Sequence, residues 1–369
     1  MFLKNIFISQ YKSHTSAVMQ LHQGVNCIVG SNGVGKTNLL DAVYCLLNGK
    51  SYFQMTDALC IMQGETYYLL KGNLYIDEVL SNLDEVINSV DVQLMVSFQT
   101  GKRKAIRLNE EPVTKLADFF GKYPCVVIAP DDVVIINGES DQRRRFFDYM
   151  LSVVDTHYLK HLSAYNKILE TRNKQLKIFS EQDNFDPLLI EYYNAKLEQH
   201  GAYIFKVRLD LTNSFEQFFN TVYAKIATDA EVPVLKYISK LQDSDFKTGF
   251  EQTLTKDRIL GRTSFGTHRD DWAFELNNMP LKKTGSQGQI KSFLIALKLA
   301  MYNFIYDKRQ IKPLLLLDDI FEKIDTSRMQ QLVEIILRPN MGQVIITDTN
   351  KKRVEEYFDG KGEVGFFEL

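Results

Sequence analysis

The first third of the chain alternates apolar and polar positions in the manner of β-strands, interrupted by one amphipathic helix. Residues 2–23 predict two strands joined by a polar turn, and residues 25–29 predict a short buried strand. Apolar residues then recur at helical spacing from Leu39 to Leu47, and Asn48-Gly49 is typical of a helix end. Four further strands are expected, the first two separated by the polar stretch 77–89: 66–76, 91–98, 104–108 and 125–128.

The pattern changes in the middle of the chain and changes again in its last third. From residue 141 to about 256, polar and aromatic side chains recur at helical spacing throughout, which predicts a helical lobe. Its helices lack sustained heptads, so a long coiled-coil arm is not expected. β character returns at 261–276. Helices and strands then alternate, which predicts a parallel sheet: helices at 290–304, 327–337 and 351–358, and strands at 314–317 and 343–347.

These patterns predict an α/β fold divided into three consecutive segments. Residues 1–140 and 261–369 are expected to form one unit, a mixed sheet with flanking helices. Residues 141–260 are expected to form an inserted α-helical second lobe. A length of 369 residues exceeds the usual ~100–200 residues of one domain and agrees with this division.

Composition narrows the class of protein. Hydrophobic residues make up 45% and charged residues 24%, as in an average folded chain. The 44 basic and 46 acidic residues balance, so any nucleic-acid site must be a local patch. The four cysteines form no CxxC pair, which favours buried thiols over a zinc site. The N-terminus lacks an apolar signal stretch and no long apolar run occurs, so we expect no membrane contact and a cytoplasmic location.

A phosphate-binding loop follows the third predicted strand and opens the first helix. Residues 30–37 match the pattern GxxxxGK[ST]. The glycines allow backbone N–H groups to surround the β- and γ-phosphates of ATP, and the helix N-terminus adds its dipole. Lys36 supplies a positive charge, and Thr37 offers its hydroxyl to Mg²⁺. The loop is therefore assigned as the ATP site, with these members: Gly30, Ser31, Asn32, Gly33, Val34, Gly35, Lys36 and Thr37.

A P-loop also needs an acidic residue at the end of a neighbouring strand. Residues 314–317 are four leucines, which predict a strand buried on both faces, and Asp318 and Asp319 follow directly. We expect Asp318 to hold Mg²⁺, together with Thr37, and Asp319 to orient or deprotonate the attacking water. Lys36 and Asp319 are thus the candidate catalytic residues.

A second loop precedes the acidic strand. Residues 285–291 read Gly-Ser-Gln-Gly-Gln-Ile-Lys and open an apolar helix, so their glycines and Ser286 predict a second anion site at a helix N-terminus. These residues resemble the Ser-Gly-Gly-Gln signature of ABC-type ATPases, which lies shortly upstream of the acidic strand. The order of the three motifs resembles that of an ABC-type ATPase head.

Five segments extend the resemblance over nearly the whole chain to the RecF family of bacterial recombination mediators: 30–51, 129–151, 261–272, 286–300 and 314–325. The resemblance implies an ABC ATPase head that dimerises on ATP, with Ser286, Gly288 and Gln289 capping in trans the nucleotide held by the other copy. It further implies DNA binding at single-strand gaps and junctions with duplex, slow ATP hydrolysis, and joint action with RecO and RecR in loading RecA.

Some positions depart from the pattern of most ABC ATPases. Asp319 stands where most of them carry Glu, which fits slow, regulatory turnover. Thr347 occupies the position at which transporters place a switch histidine. Asp325 is the best match to the D-loop, and Gln54 is the candidate for the glutamine loop.

Candidate DNA contacts are weaker, and each has a structural alternative. Lys102, Arg103, Lys104 and Arg107 cluster on a predicted hairpin, where they suit phosphate contacts or a charge-protected strand edge. For residues 143–145, three consecutive arginines, we favour structural salt bridges, because consecutive helix residues point in different directions. A buried hydrogen-bond network explains His268 as well as a ligand contact does.

Two other classes of protein are alternatives to a RecF-like ATPase. An SMC-like or overcoming-lysogenization-type ATPase for chromosome maintenance or phage defence needs a long coiled coil, a hinge or a nuclease domain, and the chain shows none. A small-molecule P-loop kinase would have an acceptor pocket and no signature loop.

Overall fold

The structure is a computed structural model of the chain. It describes residues 1–54, 56–79, 86–182, 185–227, 231–320, 326–359, 361–362 and 364–369. The chain divides into two compact units. The first comprises Met1–Asp132, Lys225–Ala227 and Ile295–Leu369, and the second comprises Val133–Ala224 and Thr228–Leu294. Residues 261–294 therefore belong to the second unit, although the sequence patterns had assigned them to the first.

The elements up to residue 128 are as follows: β1 Phe2–Tyr11, β2 His14–Gln20, β3 Val25–Val29, α1 Lys36–Asn48, β4 Tyr67–Val79, β5 Val86–Gln99, β6 Ala105–Leu108, β7 Glu111–Pro112, α2 Leu116–Phe119 and β8 Cys125–Ile128. Elements of the middle of the chain follow: α3 Val134–Asn137, α4 Ser140–Val154, α5 Thr156–Gln182, α6 Pro187–Ile226, β9 Pro233–Ile238, α7 Phe246–Leu260, β10 Asp271–Leu276, β11 Met279–Pro280, α8 Leu281–Thr284 and α9 Gln287–Arg309. The last elements are these: β12 Leu314–Leu317, α10 Thr326–Ile336, β13 Val344–Asp348, α11 Lys351–Phe358 and β14 Val364–Glu368.

The first unit contains two sheets. One has six strands in the order β2-β1-β4-β5-β6-β7, and its paired neighbours run antiparallel. The other has five strands in the order β14-β3-β13-β12-β8, and its neighbours run parallel. The parallel sheet expected from the alternating last third is confirmed, and so is the α/β class.

Helix α1 packs against strands of both sheets. Its residues from Leu39 to Leu47 are buried, as their helical spacing predicts. At Gly72 in β4, a Cβ atom would lie 2.8 Å from a backbone carbonyl oxygen of β1 and 2.6 Å from Leu46 Cδ2, so a glycine is needed where this strand approaches the helix. The helix ends at Gly49, whose φ of 70° suits glycine at the C-terminal cap. This packing fixes the start of α1, where the phosphate-binding loop lies.

The second unit is mainly helical. Helices α5 and α6 have 27 and 40 residues, which corresponds to about 40 and 60 Å. Its apolar centre includes Phe147, whose ring stacks on Trp272 with centroids 4.2 Å apart. The prediction of helix throughout 141–256 is wrong at β9, which pairs with β10 in a three-stranded antiparallel sheet with β11. Buried Leu235 and Tyr237 alternate with exposed neighbours, so a strand signal was present locally.

Three other expectations need correction. Strands β4 and β5 continue into the stretch 77–89, which had been expected to separate them, because their antiparallel pairing extends to Val79 and Val86. Residues 261–270 form a loop and a single 3₁₀ turn before β10 instead of strand. Strand β14 was not predicted; it pairs with β3 at an edge of the parallel sheet.

Candidate nucleotide-binding site

The phosphate-binding loop connects β3 to α1. Gly33 and Gly35 have φ values of 85° and 102°, a region that favours glycine. A Cβ atom at Gly35 would lie 2.5 Å from Ser13 Oγ and 2.6 Å from His14 Nε2, so space as well as backbone conformation requires glycine there. The loop therefore has the tight, backbone-exposing conformation that binds phosphates.

Lys36, the first residue of α1, is a buried cation. Its side chain is nearly inaccessible, with 4% of the residue exposed. Its ammonium donates to the carbonyl oxygens of Gly30 at 2.9 Å and Ser31 at 3.1 Å. No carboxylate of the described residues forms an ion pair with it. Burial without a negative partner is costly, and a phosphate of ATP is the kind of ligand that removes the cost.

The residues predicted to hold the metal are brought together by the order of the parallel strands. Thr37 Oγ1 lies 2.9 and 3.1 Å from the two carboxylate oxygens of Asp318, which follows β12. A cis pair of Mg²⁺ ligands is about 2.9 Å apart, and hydroxyl and carboxylate oxygens are ligands that Mg²⁺ accepts. Thr37 and Asp318 thus fit a magnesium site.

Thr347 completes this arrangement. It ends the neighbouring strand β13, and its hydroxyl donates to Asp318 Oδ1 at 2.8 Å while accepting from the backbone N–H of Asp319 at 2.9 Å. Burial raises the pKa of the Asp318 carboxyl, and the hydrogen bonds from Thr347 and Thr37 oppose this shift. The sequence placed Thr347 at a strand end, but its role in orienting Asp318 depends on strand order.

Asp319 has the features of a residue that handles the attacking water. Its φ of 44° lies in the left-handed region, which costs a non-glycine residue about 1 kcal/mol or more. One of its carboxylate oxygens, Oδ1, is buried and has no hydrogen-bond partner among the described residues. A buried, unpaired acceptor is able to accept a proton or hydrogen bond from water.

Asp41, a buried aspartate of α1, fixes the turn between β1 and β2 to this helix, a role that was not predicted from the sequence. Asp41 accepts hydrogen bonds from the hydroxyls of Tyr11 and Ser51, both at 2.7 Å, and forms a 2.6 Å ion pair with Lys12. His14 Nε2 lies 3.0 Å from the carbonyl oxygen of Gly35. An aspartate within the apolar run of α1 was the feature of the sequence that indicates a buried, paired carboxylate.

A second missed group lies on the signature helix α9. Lys298 is 3% exposed and pairs with Asp132 at 3.1 Å, and its ammonium donates to Tyr52 Oη at 2.7 Å. Tyr52 in turn donates to Asp132. Burial lowers the pKa of Lys298, and Asp132 opposes that shift. A lysine within the apolar face of the helix was the sequence signal.

The signature loop lies in the second unit. Ser286 is exposed and caps α9: its Oγ accepts from the backbone N–H of Gln289 at 3.2 Å, and Gln289 Oε1 accepts from the N–H of Ser286 at 2.8 Å. Gln289 Nε2 also donates to Glu231 at 3.0 Å. Gly288 follows the cap and is half-buried. The start of α9 is therefore exposed at Ser286, and its role toward a nucleotide stays a prediction.

The four candidate DNA contacts do not behave alike. Three of them are exposed: Lys102 and Arg103 lie before β6, and Arg107 lies within it. Lys104, in contrast, forms an ion pair with Asp57 and donates to the carbonyl oxygen of Gly49 at 2.6 Å. Lys104 therefore anchors its strand to the end of α1.

The remaining candidates have structural contacts. Arg143 forms a two-pronged contact with Asp271 at 2.6 and 3.0 Å, the structural role favoured from the sequence. His268 lies 2.9 Å from Tyr165 Oη and 3.1 Å from the carbonyl oxygen of Thr263, and burial lowers its pKa to about 4. Gln54 is exposed, and a glutamine-loop role stays a prediction. Asp325 lies outside the described residues.

The structure also bears on the cysteines and on membrane-spanning helices. All four cysteines are free and buried, and burial raises the pKa of Cys27 and of Cys45 to about 12. Among the described helices, none combines the length and the apolar character that crossing a membrane requires.

A P-loop and an acidic strand in a parallel sheet, an adjoining antiparallel sheet and a signature helix after a helical insertion define an ABC-type ATPase head. The model of the RecF/RecN/SMC N terminal domain matches residues 2–363. The chain belongs to this family and, within it, to the RecF proteins.

Curated relatives support this assignment. The DNA replication and repair protein RecF of Flavobacterium johnsoniae is 38% identical, covering 96% of this chain and 96% of the relative. RecF of Porphyromonas gingivalis is 36% identical over 96% of this chain and 94% of the relative.

Solved structures agree. The recombination mediator protein RecF-ATPrS in the RecFOR pathway has a TM-score of 0.84 at 26% identity, covering 100% of this chain and 96% of that chain. RecF-ATP has a TM-score of 0.83 at 25% identity, covering 95% of this chain and 92% of that chain. An Smc head domain of Pyrococcus furiosus, at 16% identity and a TM-score of 0.55 over 96% of this chain and 91% of that chain, shares the fold.

Proposed function

We propose that this protein is an ATP-gated DNA-binding dimer that acts at single-strand gaps and at junctions between single- and double-stranded DNA in recombinational repair. The observation that carries the proposal is the ammonium of Lys36, which is buried in a P-loop and forms no ion pair with a carboxylate of the described residues. Such a site needs a phosphate to satisfy its charge. The ATP-bound RecF structures of the same fold support ATP as the ligand.

In the proposed dimer, the nucleotide is shared between two copies. Lys36 and Thr37 of one copy hold the phosphates, and Ser286, Gly288 and Gln289 of the other copy contact the γ-phosphate. The exposure of Ser286 at the start of the 23-residue helix α9 supports this assignment, since helix N-termini favour anions. ATP therefore promotes association by contributing charge to both surfaces.

Hydrolysis resets the dimer and is slow. Mg²⁺, held by Thr37 and Asp318, would neutralise charge on the β- and γ-phosphates. Asp319 orients the attacking water with its unpaired Oδ1. Its side chain is shorter than the glutamate of most ABC ATPases, which suits a switch better than a motor.

DNA binding requires the dimer. The near-neutral monomer, with 44 basic and 46 acidic residues, binds DNA weakly, and dimerisation doubles the local basic patches. Lys102, Arg103 and Arg107 are the proposed phosphate contacts on the first unit, with Lys104 supporting their strand. The RecFOR pathway named for the related structures supports joint action with RecO and RecR. In the proposed function, this joint action helps to load RecA in the cytoplasm.

Sedimentation tests the proposal directly. Wild type, Lys36→Met and Ser286→Arg are each run without nucleotide, with ADP and with ATP, in the presence and absence of gapped DNA. We expect only wild type with ATP to dimerise and to carry DNA with it. Ser163→Arg is the matched control, because Ser163 is exposed on α5 and the change adds the same charge.

A mixing experiment separates a shared site from two independent sites. A dimer of one Lys36→Met copy and one Ser286→Arg copy contains one complete composite site. We therefore expect the mixture to regain ATP hydrolysis that neither variant shows alone. Two inactive variants that stay inactive when mixed would contradict a shared site, as would normal dimerisation of Ser286→Arg.

A further inference from the structure

The second unit contains a basic pocket that the nucleotide site does not use. It is a cavity of about 210 Å³ at the end of α7, and it also involves the turns after β9 and before β10. No carboxylate of the described part of the chain lines it, and four of its lining side chains are cations: Lys240, Lys256, Arg262 and Arg269. We call these four residues and their cavity the α7 pocket.

The four cations are exposed, and none of them forms an ion pair with a carboxylate of the described residues. Other arginines of the same unit do form such pairs: Arg143 pairs with Asp271, and Arg208 pairs with Asp148 and Asp270. Like charges that surround one cavity repel each other by Coulomb's law. Their convergence without an internal counter-charge indicates a site for an anion.

Asp257, a carboxylate next to the pocket floor, is already hydrogen-bonded. Asp257 is fully buried, and its Oδ2 accepts from Arg172 at 2.9 Å. Its Oδ1 accepts from the backbone N–H of Ser264 at 2.9 Å and from the hydroxyl of Ser264 at 2.6 Å. Asp257 therefore does not neutralise the four cations.

The floor of the pocket is rigidly held. Thr263 and Ser264 are 3% and 8% exposed. The backbone N–H and the hydroxyl of Thr263 donate to Asn173 Oδ1 at 2.8 and 2.7 Å, and Ser264 is fixed by Asp257. A pre-formed floor lowers the entropic cost of binding, since only the exposed cation side chains need to be ordered.

We propose that the α7 pocket binds a phosphate group of DNA. Ordinary small-molecule pockets measure about 300–1,000 Å³, so a cavity of about 210 Å³ suits one phosphate with its waters better than a whole nucleotide. The cations are opposite in charge to a phosphate, and DNA presents that phosphate as part of a larger contact. This inference rests on the proposed DNA-binding function, and it adds a contact on the second unit to those of β6.

The test compares two variants with the same loss of three charges. Lys256→Gln/Arg262→Gln/Arg269→Gln removes three cations of the α7 pocket. Lys160→Gln/Lys206→Gln/Lys247→Gln removes three exposed lysines elsewhere in the second unit. Affinity for gapped DNA is measured with ATP over a range of salt concentrations. We expect the slope of log affinity against log salt to fall by about 1 for each lost phosphate contact in the first variant only.

Two DNA substrates distinguish the source of the phosphate. Gapped DNA is prepared with either a 5′-phosphate or a 5′-hydroxyl at the gap. An effect of the pocket variant on the phosphorylated substrate alone assigns the pocket to a strand terminus, and an equal effect on both assigns it to the backbone. Equal slopes for the pocket variant and the control variant would overturn the proposal.

Lysine acetylation of the wild-type protein gives an independent readout. DNA is expected to protect Lys240 and Lys256 from an acetylating reagent and to leave Lys160 reactive. Unchanged reactivity of both pocket lysines would overturn the proposal. ATP-driven dimerisation of the pocket variant is expected to equal that of wild type, so a failure of the pocket is distinguishable from a failure of the proposed function. Wild-type protein that binds no DNA would overturn both.

Discussion

Both units bury positive charges, and Arg208 of the second unit and Lys36 of the first differ in their partners. In the second unit, Arg208 is 2% exposed and donates to Asp148 at 2.8 Å, to Asp270 at 2.7 Å and to the carbonyl oxygen of Thr267 at 2.7 Å. In the first unit, Lys36 is 4% exposed, and its partners among the described residues are two carbonyl oxygens. A buried cation neutralised by carboxylates stabilises packing, whereas one without them is available to a phosphate.

Two acidic side chains, Asp257 and Asp319, differ in the same way as the two cations. Both oxygens of Asp257 in the second unit accept hydrogen bonds from Arg172 and Ser264. Asp319 in the first unit keeps an oxygen with no partner among the described residues, and its backbone is strained. Asp257, a structural carboxylate, therefore has both oxygens bonded within the fold, whereas Asp319, a candidate catalytic one, leaves an oxygen available to a ligand or water.

The largest expected effect is on stability. Arg208→Met should lower the free energy of unfolding by about 3–5 kcal/mol, because it leaves buried carboxylates without their cation. Urea unfolding measures this change. Arg145→Met is the control, since Arg145 is exposed and its pair with Asp141 should contribute under about 1 kcal/mol. If Arg208→Met lost as little free energy of unfolding as the control, the contrast between Arg208 and Lys36 would be wrong.

The next effect concerns ATP turnover. Asp319→Asn should slow hydrolysis about 10²–10³-fold, because an amide does not accept the proton of the attacking water. ATP-dependent dimers should accumulate, since binding does not need this carboxylate. Steady-state phosphate release gives the rate, with Asp131→Asn, an exposed acid, as the control. Hydrolysis within threefold of wild type would remove Asp319 from the proposed role.

Lys36→Met tests the unpaired cation. Affinity for ATP should fall about 10–100-fold, the equivalent of one charge-assisted hydrogen-bond network of ~1.5–3 kcal/mol. The free energy of unfolding should not fall, because Lys36 has no ion pair with a carboxylate of the described residues. Titration calorimetry and urea unfolding measure the two quantities, with exposed Lys115→Met as the control. A loss of stability without a loss of ATP affinity would show that Lys36 has a structural role, like Arg208, and does not bind phosphate.

The smallest expected effect is a pH dependence in the second unit. Burial lowers the pKa of His268 to about 4, below the usual value of about 6.5. The folded protein therefore keeps this histidine neutral while the unfolded chain takes up a proton. Stability is full above about pH 6.5 and falls as the pH drops toward 4, by about 1–2 kcal/mol between pH 7 and pH 5.

Unfolding of wild type and His268→Gln at both pH values measures this contribution. The variant should lose less stability than wild type over the same interval, because glutamine does not titrate. An identical pH dependence of the two proteins would show that His268 makes no contribution of this sign.

Much of the candidate site was predictable because its motifs are local. Gly33 and Gly35 adopt left-handed conformations within a contiguous loop, and α1 begins at Lys36. The four leucines of β12 are recognisable as a buried strand without knowledge of their neighbours. Strand β9 was missed because the helical spacing around it was extended across it, although Leu235 and Tyr237 alternate with exposed neighbours. The contacts of Lys104 were not predictable from its own segment, since its partners Asp57 and Gly49 lie in other elements.

The sequence by itself determined the class of chemistry: a nucleotide loop, an acidic strand and a signature loop in the order of an ABC-type ATPase. Tertiary structure alone decided which charged side chains are paired within the fold and which remain available to a ligand. Thr347 reaches Asp318 only because β13 lies beside β12, and the α7 pocket forms only because separate turns converge at one helix end. Backbone conformation is largely local, whereas the pairing of charges depends on contacts between residues that are distant in sequence.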